Sequence, residues 1–178
     1  MKKNSLVALA VLAASGASFA QSSVTVYGIA DVFLAATSGT GVQSQTLLNS
    51  GGVSASRWGL KGTEDLGGGL KANFLLEQGF AIDSGASSTA GAAFARYSYV
   101  GLSGGFGEIK LGHVGTAADD IGGASNSAFD SALSAQNGVW KSTGFNSTPN
   151  NNIYYASPTM GGFSAAASYG LGEDKAAA

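Results

Sequence analysis

The chain of 178 residues contains no cysteine, one histidine and two prolines, and only 11% of it is charged. Without cysteine there is no disulfide framework. One histidine and no thiolate leave too few ligands for a transition-metal site, so no metal is expected. The basic surplus that phosphate recognition demands is also missing. Nine basic residues stand against eleven acidic ones, a net charge of −2, which argues against a nucleic-acid partner. No apolar run reaches the ~20 residues a helix needs to cross a bilayer. What the chain does have is glycine, 28 residues of it. That density costs backbone entropy unless tight turns and close strand approach use it. The composition reads as β-rich.

The first twenty residues differ from the rest. Lys2 and Lys3 precede an apolar run from Leu6 to Ala14, and small residues follow, ending in Ser18-Phe19-Ala20. This order predicts a secretory signal cleaved after Ala20, leaving one domain over residues 21–178. Export would remove two of the nine basic residues and make the mature part more acidic.

Alternation predicts seven strands after that point: Val24–Thr37, Ala55–Thr63, Leu70–Phe80, Ala95–Ser103, Glu108–His113, Asn151–Pro158 and Phe163–Gly170. Their connections hold about 17, 6, 14, 4, 37 and 4 residues, long and short in strict alternation. In an up-and-down sheet every other connection emerges on the same side. One side then carries tight turns and the other long loops, the asymmetry of outer-membrane barrels. The strand faces alternate as well. Val24, Val26, Gly28, Ala30, Val32 and Leu34 form an apolar face opposite Thr25, Tyr27, Ile29, Asp31 and Phe33. A secreted β-sandwich would alternate in the same way. The export signal, the alternating connections and strands of about 8–14 residues favour an all-β, transmembrane antiparallel β-barrel.

Catalytic motifs are weak. Gly101-Leu102-Ser103-Gly104-Gly105 fits G-x-S-x-G, but a nucleophile elbow must follow a strand and open a helix. Here it falls in a tight turn between two strands, and His113 lies on the next strand rather than on a distant converging element. No hydrolase is expected. The aromatics Trp58, Tyr97, Tyr99 and Phe163 fit an interfacial girdle, and ordinary strand propensity accounts for them equally.

The charged residues carry more. Arg57, Lys61 and Arg96 read as the polar face of their strands, which a water-filled lumen would accommodate. The connection from Val114 to Asn150 exceeds the usual 12–15 residue limit for unstructured loops, so it is expected to be functional or partly structured. It carries Asp119, Asp120 and Asp130. Folded inward, it would set carboxylates opposite the basic wall and create a transverse field across a narrow passage.

Particular segments sharpen this. Ser23-Val24-Thr25-Val26-Tyr27-Gly28 with Asp31, and Ser56-Arg57-Trp58-Gly59-Leu60-Lys61-Gly62-Thr63-Glu64-Asp65-Leu66-Gly67-Gly68-Gly69-Leu70, resemble the opening of Gram-negative general diffusion porins. The Arg96 strand, Phe106-Gly107-Glu108-Ile109-Lys110-Leu111-Gly112 and Tyr155-Ala156-Ser157-Pro158 continue the likeness, which is greatest to the β-proteobacterial type. The resemblance implies a sixteen-stranded barrel in the outer membrane, in contact with its lipid and usually a homotrimer. Its third extracellular loop would fold inward, and ions and small hydrophilic solutes would pass without a cofactor. It also implies that Arg57, Lys61 and Arg96 form the basic wall of the constriction, with Glu77 a lumen carboxylate beside them. His113 and Thr148 stand where members often carry arginine.

Seven strands are too few for sixteen, so the chain is expected to be the N-terminal portion of such a barrel, as a fragment or as the product of a truncated gene. Its expected role is passive conduction, not catalysis. A secreted β-sandwich binding module and a small adhesion-type barrel are the alternative readings.

Overall fold

The computed structural model describes residues 23–125, 138–139 and 142–172. The expected signal at residues 1–20 and Asp130 lie outside the described residues. Seven strands form one antiparallel sheet: β1 (Ser23–Ile29), β4 (Arg57–Gly67), β5 (Leu70–Gly79), β6 (Tyr97–Gly104), β7 (Gly107–His113), β8 (Asn152–Ala156) and β9 (Ala166–Gly170), paired in that order. β2 (Val32–Gly39) and β3 (Val42–Ser50) form a separate two-stranded hairpin. Helix α1 (Ala117–Ser125) lies in the connection after β7. No helix among the described residues is long and apolar enough to cross a membrane.

The hairpin revises the sequence reading. The expected first strand, Val24–Thr37, breaks at Ala30–Asp31, and most of the expected 17-residue loop is β2 and β3. Segment 42–50 reads Val-Gln-Ser-Gln-Thr-Leu-Leu-Asn-Ser and lacks alternation. β2 keeps the expected alternation, with Val32 and Leu34 exposed and Phe33 against Gly52, whereas β3 pairs only with β2, outside the seven-stranded sheet. The tight connections stay tight. Gly67, Gly68 and Gly69 turn the chain from β4 to β5 with φ of +85°, +62° and +81°, a region that side-chain-bearing residues rarely occupy.

Register explains the sheet's two faces. Val24, Gly62, Phe74, Val100, Leu111, Ile153 and Tyr169 stand in one row across all seven strands. The row below, from Ala72 through Leu102, Ile109 and Tyr155 to Ala167, is also apolar. This face is largely uncovered: Val24 is 66% and Tyr169 69% exposed. Among the described residues, no second sheet packs on it. The opposite face holds the small core of Val114, Ala117 and Tyr154. A sheet apolar on its outside and polar within matches a barrel wall whose solvent is lipid, and inverts the arrangement of a sandwich.

Candidate functional site

The polar face is built in rows. Tyr27, Gly59, Glu77 and Tyr97 share one row across β1, β4, β5 and β6. Strands lie about 4.8 Å apart, so Tyr27 must reach across β4 to meet Glu77. Gly59 makes this possible: a Cβ there would stand 2.9 Å from the Tyr27 ring and 2.7 Å from the Leu76 carbonyl oxygen. The Tyr27 hydroxyl donates to Glu77 Oε2 at 2.5 Å.

Glu77 is 4% exposed and is also met by two guanidinium groups. Arg96 Nε donates to Oε1 at 2.7 Å, and Arg57 Nε lies 3.6 Å from Oε2. A carboxylate this buried persists because its charge is compensated and its oxygens are occupied. The three side chains carry a formal net charge of +1.

Arg96 arrives there in an unexpected way. Strand alternation groups it with Ser98 and Val100, whereas Glu77 stands opposite Tyr97. Arg96 precedes the first residue of β6, so strand parity does not govern it, and its side chain turns toward Glu77. Tyr97 and Tyr99 therefore belong to the charged face and not to an outer girdle. Trp58 is on the outer face, edge-on to Phe94 with ring centroids 6.0 Å apart.

Lys61 lies four residues beyond Arg57 on the same face, its Nζ 5.3 Å from the centre of the Tyr27 ring. Below it opens a groove of about 630 Å³, lined by Thr25, Tyr27, Lys61, Asn73, Tyr99 and Glu108 among others. Lys110 extends the charged face. It pairs with Glu108 at 3.0 Å, and its Nζ sits 5.5 and 4.9 Å from the rings of Tyr99 and Tyr154. Sequence reasoning missed Tyr27, Glu108, Lys110 and Tyr154. The Glu108, Lys110, Gly112 alternation in β7 was the available signal.

The long connection lies on this same face at its start. Thr116 caps α1, its Oγ1 accepting from Asp119 N at 3.2 Å, and Asp119 and Asp120 fill the first turn, where the helix dipole favours carboxylates. Asp120 accepts from the Tyr154 hydroxyl at 2.5 Å, and Ala117 N donates to Ser168 Oγ at 3.1 Å. The buried Asn152 donates to the Val114 carbonyl at 3.0 Å. A Cβ on Gly115 would lie 3.6 Å from Asp119 Oδ2, 3.7 Å from the Tyr97 ring and 3.8 Å from Asp120 Oδ1, and Tyr97 stands opposite Glu77, so the acids of α1 and the basic cluster share one neighbourhood. His113 does not join it. It shares the outer face with Leu111, and its Nε2 lies 3.1 Å from the Ala95 carbonyl oxygen. Thr148 N is held by Asn146 Oδ1 in the last part of the connection.

An antiparallel sheet with an exposed apolar face, a charged opposite face and a helix-bearing loop laid on that charged face has the architecture of a β-barrel membrane wall. Residues 5–178 match the model of the Gram-negative porin family, and the chain belongs to that family. It is 42% identical to outer membrane porin protein 32 of Delftia acidovorans, over 96% of this chain and 50% of that protein. It is 36% identical to major outer membrane protein P.IB of Neisseria meningitidis, over 67% of this chain and 36% of that protein. The anion-selective porin from Comamonas acidovorans superposes with a TM-score of 0.71 at 34% identity, covering 87% of this chain and 48% of that one. The chain thus spans half or less of the length of these relatives.

Proposed function

We propose that the chain forms part of the wall and constriction of a passive outer-membrane channel for ions and small hydrophilic solutes, with a preference for anions. The observation that carries the reading is the Arg57–Glu77–Arg96 cluster on the inner face of a sheet whose other face is apolar and exposed. Two guanidinium groups to one carboxylate, with Lys61 on the same face, leave a positive wall, and interior charge of one sign selects the opposite ion. Asp119 and Asp120 of α1 supply the acidic side of the passage. The name of the anion-selective relative agrees with this sign.

The reading assigns a conduit and not an enzyme, with no cofactor. The whole protein would sit in outer-membrane lipid as a homotrimer, as the resemblance to general porins implies. A secreted sandwich would need a second sheet over Val24, Val100 and Tyr169. The test uses the full-length protein in planar bilayers under a salt gradient. Replacing Arg57, Lys61 and Arg96 together by glutamine should move the reversal potential toward cation preference. An unchanged reversal potential would remove these residues from the conducting path.

A further inference from the structure

Where β1 gives way to the β2–β3 hairpin, Asp31 and Ser56 tie the chain together. One Asp31 carboxylate oxygen accepts from Gly52 N at 3.0 Å, and the other from Val53 N at 3.0 Å and Ser54 N at 2.8 Å. The Asp31 carbonyl accepts from Gly51 N at 2.9 Å. Ser56, 2% exposed, closes the ring: its Oγ accepts from Asp31 N at 2.9 Å and from Ser50 Oγ at 3.0 Å, and donates to the Asp31 carbonyl at 3.0 Å. Its own carbonyl accepts from Phe80 N at 3.0 Å, one residue past the end of β5. Gly52 fits because the Phe33 ring occupies the space a Cβ would need, 2.8 Å away. Every backbone position from Gly51 to Ser54, and Ser56 itself, is thereby fixed.

The next residue is Arg57. Its Nη1 donates to the Ala55 carbonyl at 3.0 Å, inside the segment that Asp31 and Ser56 hold, while its Nε faces Glu77. The guanidinium thus has two anchors, a carboxylate on β5 and a carbonyl whose position the junction sets. A flexible cation held at both ends keeps its charge at one point of the lumen wall. We infer that Asp31 and Ser56 are positioning residues for Arg57 and set the ion preference of the channel through it. This inference rests on the channel reading above.

The sign of the effect separates this role from a direct one. If the Asp31 charge acted on passing ions itself, neutralising it would strengthen anion preference, and Ser56, which is uncharged, would have no influence. If the two residues act through Arg57, loosening either weakens anion preference. In the full-length protein, Ser56→Ala should lower the anion-to-cation permeability ratio by about twofold, which needs a loss of only about 0.4 kcal/mol in the energy difference between anion and cation beside Arg57. Ser56→Thr, which keeps the hydroxyl, should restore the ratio. Both changes should be absent in an Arg57→Gln background, since the route through Arg57 is then closed. The ratio is a property of each open channel, so a lower yield of folded protein does not alter it. A parental ratio in Ser56→Ala, or an equal shift with and without Arg57, overturns the positioning role. Arg57→Gln alone tests the parent reading: if it too leaves the ratio unchanged, the channel assignment of Arg57 fails first. Should Ser56→Ala give no folded channel, Asp31→Asn decides by direction, a fall for positioning and a rise against it.

Discussion

Asp31 shows how a single side chain can be read from its partners. It lies between β1 and β2, outside the spanning strands, and the backbone amides of Ser54, Val53 and Gly52 hold its carboxyl below its ordinary value of 3.8. Those three donors favour the ionised form. A carboxyl with a depressed folded value contributes stability that is fully present above its unfolded value and is lost as pH falls through the folded one. The junction should therefore be indifferent to pH from neutrality down to 3.8 and loosen only below it. A carboxyl-carbon NMR titration of Asp31 in the full-length protein checks this, and a midpoint at or above 3.8 contradicts it. Neither this role nor that of Tyr27 was legible in the sequence, where both appear in a mixed strand face and in a segment that resembles porins, with no partner indicated. Partners at separations of 21 to 50 residues give them meaning. Strand parity alone puts Arg57, Lys61 and Glu77 on one face, and the register places them together opposite the apolar rows. Arg96 reached the same place despite its parity, by standing one residue before its strand.

Elements divide in the same way. Strands β4 to β7 were readable because each has one face against apolar surroundings and one against polar ones, which imposes a period of two. In the β2–β3 hairpin the outcome is mixed: β2 was legible as the end of the expected first strand, whereas β3, which lacks alternation, reads as loop. Helix α1 was hidden for another reason: Gly122 and Gly123 lower its helix propensity. Only Thr116 as cap with Asp119 and Asp120 behind it gave a local signal, and packing on β8 and β9 accounts for its stability. The residues that bind α1 to the wall make the role of the connection from Val114 to Asn150 testable. Deleting its middle in the full-length protein should raise single-channel conductance. Tyr154→Phe, which removes the hydrogen bond to Asp120, should cost about 1.5–3 kcal/mol of local stability and appear as added open-channel current noise. If the deleted form conducts like the parent, the connection lies outside the passage.

At the largest scale, the decisive feature is that the described strands form an open sheet with β1 and β9 at its edges. Among the described residues β1 pairs only with β4, and β9 only with β8. In hydrocarbon each unpaired backbone group costs several kcal/mol, which is why only closed barrels span membranes with strands. Closing these seven strands on themselves would bring β1 beside β9, and single-chain bacterial barrels have even strand numbers. The apolar face adds a second difficulty, since its row from Val24 to Tyr169 is exposed among the described residues. In water, free edges beside exposed apolar rows template association with other chains. These 178 residues expressed alone should therefore yield aggregated or degraded protein and no pore. The check is an outer-membrane extract examined by heat-modifiable electrophoretic migration and by planar-bilayer conductance. A folded, conducting species would mean that this open sheet completes itself, either by pairing β1 with β9 or by joining the edges of several copies.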